Sequence, residues 1–413
     1  MKSLKLGLVI MAAALITVGL GGVAYAFHSG GVAECAGCHS MHSSAGEHLL
    51  ISSDASSTCL ACHGKEGSLT PSSYHISTHQ DNLVAGQPPA QRTPGGDFAW
   101  LKKNYTWTAH GESETEDGSL HGHSIVAPEF GYNVDVKNTQ APGGTFSASQ
   151  LSCGSCHDPH GTGKRLSDGT YSNSGGILTG SGSTGTIPAA GSAVGTYDLL
   201  AGPYYTGASG VTFNAWPIAV RPSGYNRTEA VTQTRVAYGA QGGNTWSQWC
   251  GSCHQAMLTT GIGRSGHTHP VDQALGSSTG SAGYNYNHYV KTGDFSGTFG
   301  GGTPGPYTSL VPFAEATGDI TTLQGHAKND DTYLNGPGSS DTVMCLSCHR
   351  AHASGWKHAL RWNTEETYIV QNGAYQAAMG RTAAETQGTY YDRPASVFAT
   401  FQKSLCNKCH AKD

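Results

Sequence analysis

Charge is scarce in this chain. Only 12% of its residues are Asp, Glu, Lys or Arg, about half the usual ~25%. Its 23 Lys and Arg are scattered and the net charge is −5, so there is no basic field to hold nucleic acid or an anionic bilayer. Apolar side chains are scarce too, at 37% against ~45–50% in ordinary globular chains. That excludes a large core made of side chains alone, while the low charge excludes an expanded disordered chain. Long apolar runs are absent after Leu6–Leu20, and that run is short of the ~20 residues a membrane helix needs. Something other than side-chain packing must help to hold the molecule together.

What the chain has instead is glycine (58 of 413 residues), 12 cysteines and 21 histidines. At the start, Lys2 and Lys5 precede the apolar run and Ala24-Tyr25-Ala26 offers a small-x-small cleavage site. We expect residues 1–26 to be a signal peptide rather than a retained anchor. Residues 27–413 then form one exported unit with no membrane span, because no credible domain boundary follows.

Every cysteine belongs to a C-x-x-C pair followed at once by histidine. The six are Cys35/Cys38/His39, Cys59/Cys62/His63, Cys153/Cys156/His157, Cys250/Cys253/His254, Cys345/Cys348/His349 and Cys406/Cys409/His410. This is the attachment motif of c-type haem. The two thiols make thioethers to the macrocycle and the histidine becomes the proximal iron ligand. Disulfides, zinc knuckles and thioredoxin-like pairs use C-x-x-C as well, but none of them needs the histidine. Six covalent haems are therefore expected.

The second axial ligand decides the chemistry. Fifteen histidines are left over and methionine numbers only six, so histidine on both sides of all six irons is the economical reading. Such iron has no vacant position and passes electrons without binding a substrate. The candidates are His28, His42, His75, His123, His160, His269, His326 and His352, eight for six places. His42, His160 and His352 each stand three residues after a proximal histidine, too close to reach the far face of their own haem but able to serve a neighbouring one. The alternative for each candidate is a propionate contact or plain solvation, and His48, His79 and His288 are assigned to that class.

The motifs begin at 35, 59, 153, 250, 345 and 406. The near-equal middle gaps suggest a repeat, but the sequences between them do not match, so no solenoid is inferred. The expected fold is irregular and coil-dominated, with a few short helices, minimal strand and a core built around six covalent haems. By the logic of metal-coupled folding, the haem-free chain should be largely unfolded. Pro394 to Cys406 reads as the clearest helix, with Val397, Phe398, Phe401 and Leu405 on one stripe. Thr364–Gln376 is a further helix candidate, Phe98–Trp107 a strand, and 172–196 and 275–307 long loops. Asn226-Arg227-Thr228 matches a glycosylation sequon, read here as coincidence.

The residues also carry a resemblance. Phe27-His28-Ser29-Gly30-Gly31 leading to His39-Ser40-Met41-His42, the stretches Pro71–Thr78, Thr93–Phe98, Tyr225–Ala230 and Cys345–Gly355, and the ending Leu405–Asp413 are similar to the extracellular cytochrome nanowire family. These are outer-surface hexahaem c-type cytochromes of metal-reducing bacteria. The resemblance spans essentially the whole chain after residue 26. It implies bis-histidine haems stacked continuously through a homopolymer, with His42 matching the histidine that ligates a haem of the neighbouring subunit. It further implies electron flow from outer-membrane or periplasmic cytochromes to extracellular metal oxides or partner cells. The competing expectations are a monomeric periplasmic shuttle and a multihaem reductase; the latter needs a five-coordinate iron.

Overall fold

The computed structural model describes residues 35–65, 74–174, 177–178, 185–207, 210–222, 224–225, 229–259, 268, 270–289, 305–376 and 379–411. Among them regular structure is sparse. Helices run over Cys35–Cys38 (α1), Ala55–His63 (α2), Trp246–Gly251 (α3), Gln255–Thr259 (α4), Ala282–His288 (α5), Ile320–His326 (α6) and Ala383–Thr389 (α7). Side-chain caps start most of them: Asp54 accepts from the Ser57 N–H, Thr245 from Gln248, Ser281 from Tyr284, Asp319 from Thr321 and Thr322. Thr382 and Glu385 form a reciprocal capping box on α7. These caps matter because such short helices have little internal cooperativity. Helices α1 and α2 carry cysteines of the first two motifs and α3 carries Cys250, so short helical turns present the thiols.

Strands are equally short. Tyr105–Ala109 (β1) and Glu112–Glu116 (β2) form an antiparallel hairpin with Tyr105 opposite Glu116. Lys164–Leu166 (β3), Tyr171–Ser172 (β4), Ile177–Leu178 (β5) and Ser192–Gly195 (β6) make a sheet in the order β4-β3-β6-β5. Ala219–Val220 (β7), Ala237–Gly239 (β8) and Ala314–Glu315 (β9) make another. Tyr368–Gln371 (β10), Ala374–Tyr375 (β11) and Gln402–Lys403 (β12) form a third sheet in the order β11-β10-β12.

No single apolar core unites these pieces. Buried side chains fall into separate clusters, and several end on motif cysteines. The cluster of Tyr286, Leu310, Trp356, Trp362 and Leu405 packs on Cys348, Cys406 and Cys409. Leu60, Phe98 and Tyr132 reach Cys153. Phe213 and Trp249 reach Cys156 and Cys250. The coil-dominated expectation holds.

Five local expectations do not. The Pro394–Cys406 helix is replaced by a 3-10 turn at Ala395–Val397, strand β12 and a second 3-10 turn at Leu405–Lys408. Its supposed stripe is split, with Phe398 and Leu405 buried and Phe401 exposed. Pairing of Gln402–Lys403 with β10 breaks the helical period. Thr364–Gln376 contains the β10–β11 hairpin, turned at Asn372-Gly373 with φ of 54° and 77°. Asn-Gly is the strongest short-range hairpin signal, and it outweighs the helical pattern. In Phe98–Trp107, only the part from Tyr105 is strand; Phe98–Lys102 is a 3-10 turn capped by Asp97. The supposed loops hold β4, β5 and β6 in one case and α5 in the other. Residues 226–228 lie outside the described residues.

Candidate haem sites

Three of the motifs sit in the same backbone cradle. After His39 the chain returns through a left-handed turn at His48 (φ 56°) and Leu49 (φ 61°). There the Ser40 N–H donates to the Leu49 carbonyl at 2.7 Å and the Ile51 N–H to that of Cys38 at 3.0 Å. After His157 the turn is Asp198-Leu199 (φ 45° and 56°), with Asp158 donating to Leu199 at 2.7 Å and Ala201 to Cys156 at 2.8 Å. After His349 it is His358-Ala359 (φ 60° and 55°), with Arg350 donating to Ala359 and Arg361 to Cys348, both at 2.8 Å. The return comes nine residues after His39 and His349 but 41 after His157. That inserted stretch hides the repeat from sequence comparison.

The cradles fix the histidines. His39 Nδ1–H donates to the His48 carbonyl at 2.9 Å, His157 to Asp198 at 2.9 Å and His349 to His358 at 2.7 Å. In the second and fourth motifs, His63 donates to Tyr74 at 2.6 Å and His254 to Pro142 at 2.8 Å. A carbonyl can only accept, so it assigns the proton to Nδ1 and leaves Nε2 as the free lone pair. This is the outer-shell arrangement that orients a metal-bound imidazole.

Opposite these rings stand others. His39 faces His160 with ring centres 6.2 Å apart and planes at 16°. His157 faces His352 at 6.4 Å, and His254 faces His123 at 6.0 Å. A metal–nitrogen bond of about 2 Å on each side, plus the ring radii, sums to roughly 6.3 Å. The three gaps therefore fit an iron between two imidazoles. Burial, then the facing His157, pushes His352 down to about 3, and burial, then His254, pushes His123 down to about 4. Both are held in the neutral form that binds metal.

The thiols follow one another through the molecule. Burial pushes Cys38 up, with Cys59 and Cys62 adding to it. Cys59 lies beside Cys153, and Cys250 beside Cys345. Burial pushes Cys156 up to about 12 with Cys253 beside it, and Cys348 to about 12 with Cys409 and Cys406 beside it. Neighbouring motifs in sequence are thus neighbours in space, first to sixth. Among the described residues no three His, Cys, Asp or Glu side chains gather into a metal cage.

Comparison with known proteins supplies a family. Residues 28–68 match the family described as Doubled CXXCH motif. The chain is 45% identical to the C-type cytochrome OmcS of Geobacter sulfurreducens, over the full length of both proteins. It belongs to the OmcS family of c-type cytochromes. Two solved structures resemble this OmcS-family chain. One is the cryo-EM structure of the OmcS nanowires from Geobacter sulfurreducens, with TM-score 0.84 and 44% identity over 94% of this chain and all of that one. The other is the Outer Membrane Cytochrome S filament of the same organism, with TM-score 0.83 and 43% identity over the same shares. C-x-x-C-H motifs in this family carry covalent haem c.

The remaining candidates have varied settings in this OmcS-family chain. His42 is exposed on the first cradle. His75 is buried with its ring 4.4 Å from Tyr74, and burial, then His63, pushes it down. His326 ends α6, donates from Nδ1 to Glu315 at 2.6 Å and stacks on Tyr333 at 4.0 Å. His28 and His269 lie outside the described residues. Sequence reading missed the supports. Phe98 stacks on His352 at 4.4 Å, and His123 donates from Nδ1 to Ala351 at 2.6 Å. Asp158 accepts from the His160 N–H at 3.1 Å and so positions that ring. His288, set aside from the sequence, donates from Nδ1 to Tyr284 at 2.8 Å, and Asn285 one turn earlier holds the Cys409 carbonyl at 2.8 Å. Only the short-range signal of a histidine at the end of a helix could have drawn attention to it.

Proposed function

We propose that this chain is one segment of an extracellular electron conduit, carrying six covalent haems c between paired imidazoles and joined end to end with copies of itself. In this reading His160, His352 and His123 are the second ligands opposite His39, His157 and His254. Bound haem supplies a reversible one-electron iron couple. The protein's share is to hold both imidazoles neutral, keep each iron closed to substrate, and set the haems in sequence order. Any reduction of an acceptor is then outer-sphere, and the chain is not an enzyme.

One observation supports the polymer. The three cradles form a series in which each proximal histidine meets the +3 histidine of the next: His39 with His160 of the third motif, His157 with His352 of the fifth. The series leaves His349 at one end and His42 at the other. Among the described residues no imidazole faces either of them at this spacing. His42 of a second copy completes the pattern at His349. Such a contact joins two different surfaces, and a head-to-tail contact that does not close generates a filament. Met41, Leu49 and Ile51 stand exposed beside His42 on the same cradle, an apolar collar suited to burial in that joint. For the second ligands of His63 and His410 the pool is His28, His75, His269 and His326.

Residues 1–26 act as the export signal, and 27–413 as one haem-built unit. Among the described residues no helix is long and apolar enough to cross a membrane. Donors are cytochromes of the cell envelope, and acceptors are metal oxides or partner cells outside. The deciding experiment is His42→Ala, expressed in a host competent for cytochrome maturation. It should retain its haem mass, lose polymer in electron micrographs, and gain a high-spin ferric signal from one haem in six. Normal filaments from this variant would sink the proposed joint.

A further inference from the structure

The three cradles share a backbone but differ in the charge that directly follows the proximal histidine. The residue after the proximal histidine is Ser40 in the first, Asp158 in the third and Arg350 in the fifth. Ser40 is half-buried, whereas Asp158 and Arg350 are buried. Asp158 accepts from the backbone N–H groups of His160 and Thr162, as a carboxylate does. Arg350 is only 1% exposed. Its guanidinium lies 3.6 Å from the centre of the Tyr391 ring, and its Nε and Nη2 meet no acceptor among the described residues.

The fifth cradle adds more positive charge. Where Ile51 and Ala201 close the first and third cradles, Arg361 closes the fifth, donating from Nε to the carbonyls of Leu346 at 2.7 Å and His349 at 3.0 Å. Arg393 is buried nearby and pairs with Glu229 at 2.9 Å. Glu229 is the carboxylate buried with these three guanidiniums. Buried charges are weakly screened and act on their neighbours over several ångströms.

We propose that the residue following the proximal histidine sets the reduction potential of its own cradle, with Arg350 making the His349 station the easiest of the three to reduce and Asp158 making the His157 station the hardest. This rests on the haem-chain reading above. Reduction adds one electron to an iron, from a neighbouring haem that is oxidised in turn, with no bond or proton changed. A cation beside the iron favours the reduced state and an anion disfavours it; net charge and burial are recognised levers on such potentials. Arg350 and Asp158 each follow the proximal histidine directly in the chain, and we take a separation on the order of 10 Å for their charges. At that distance one buried charge changes the reduction equilibrium by about tenfold, or about 59 mV for one electron. The arrangement would make electron flow through the filament uneven, with an electron-rich station once per subunit.

The test is potentiometric titration of purified filaments, followed by haem absorbance, for wild type, Arg350→Met and Asp158→Asn. Methionine keeps the packing on Tyr391 while removing the charge. We expect about one sixth of the signal to titrate about tenfold lower in Arg350→Met. About one sixth should titrate higher in Asp158→Asn, with all other components unmoved. Glu229→Gln removes the counter-charge and should raise the component that Arg350→Met lowers; if the methionine variant does not fold, this sign alone decides. Unchanged potentials, or shifts of the same sign in the Arg350 and Glu229 variants, overturn the proposal. Wild-type protein that lacks six haems by mass would overturn the haem-chain reading instead.

Discussion

His352 illustrates how single residues carry the design. Phe98 lies flat against its ring, and its backbone N–H donates to the Gly95 carbonyl at 2.7 Å. Gly96 sits at φ 94°, where a Cβ would stand 1.7 Å from the Ala353 carbonyl oxygen. Gly96→Ala should therefore cost about 1–3 kcal/mol from backbone strain alone, more with the collision. The check is a lower melting temperature together with a new high-spin ferric signal as His352 is displaced. His352→Ala should give that signal without loss of haem, because the thioethers of Cys153 and Cys156 remain. Glu116 offers a pH test. It is buried and accepts from His121 Nε2–H at 2.7 Å and from Arg381. Burial pushes its carboxyl up, but these two partners more than offset that, and it falls below its ordinary 4.5. A depressed folded value means stability present above pH ~4.5 and lost as pH falls through the folded value. Glu116→Gln should flatten that acid limb and, by leaving Arg381 unpaired, cost roughly 3–5 kcal/mol at neutral pH. Urea melts at stepped pH measure both.

At the scale of elements, the left-handed turn is the unit that recurs. Its two residues hold positive φ without glycine, in His48-Leu49, Asp198-Leu199 and His358-Ala359. Each L residue there costs roughly 1–2 kcal/mol, a strain maintained because the turn aims a carbonyl at the proximal imidazole. Ala359→Gly should relieve about 1 kcal/mol and raise the melting temperature by about 1 °C, with the haem spectrum unchanged. These turns were not legible in the sequence, since no glycine or asparagine marks them. The Asn372-Gly373 hairpin was legible, because Asn-Gly marks the turn even inside a helical pattern. The Pro394–Leu405 stripe failed for another reason: Gln402 is fully buried and bonded to Tyr289, a distant partner that no local period reveals.

For the whole molecule the consequence is that the described residues form no central core. Its apolar clusters are small and several terminate on cysteines that the cofactor is expected to use. Unfolded and folded states should then differ little in stability when haem is absent. Protein made in a host lacking cytochrome maturation should show no cooperative thermal transition and poor amide dispersion by NMR. A sharp melt from such material would count against the haem-built core.

The sequence by itself determined the chemistry of attachment, because C-x-x-C-H is a contiguous motif whose reactive groups need only local geometry. It also determined the coil-rich character, through low apolar content and abundant glycine. Tertiary structure alone decided which histidines meet. His160 reaches back to His39 across 121 residues and His352 to His157 across 195, because repeated cradles stack in register rather than because any spacing prescribes it. Burial of Arg350 and Asp158 is likewise a property of the packed molecule: a formal charge is visible in sequence, but the low-dielectric setting that gives it force exists only once the chain has folded.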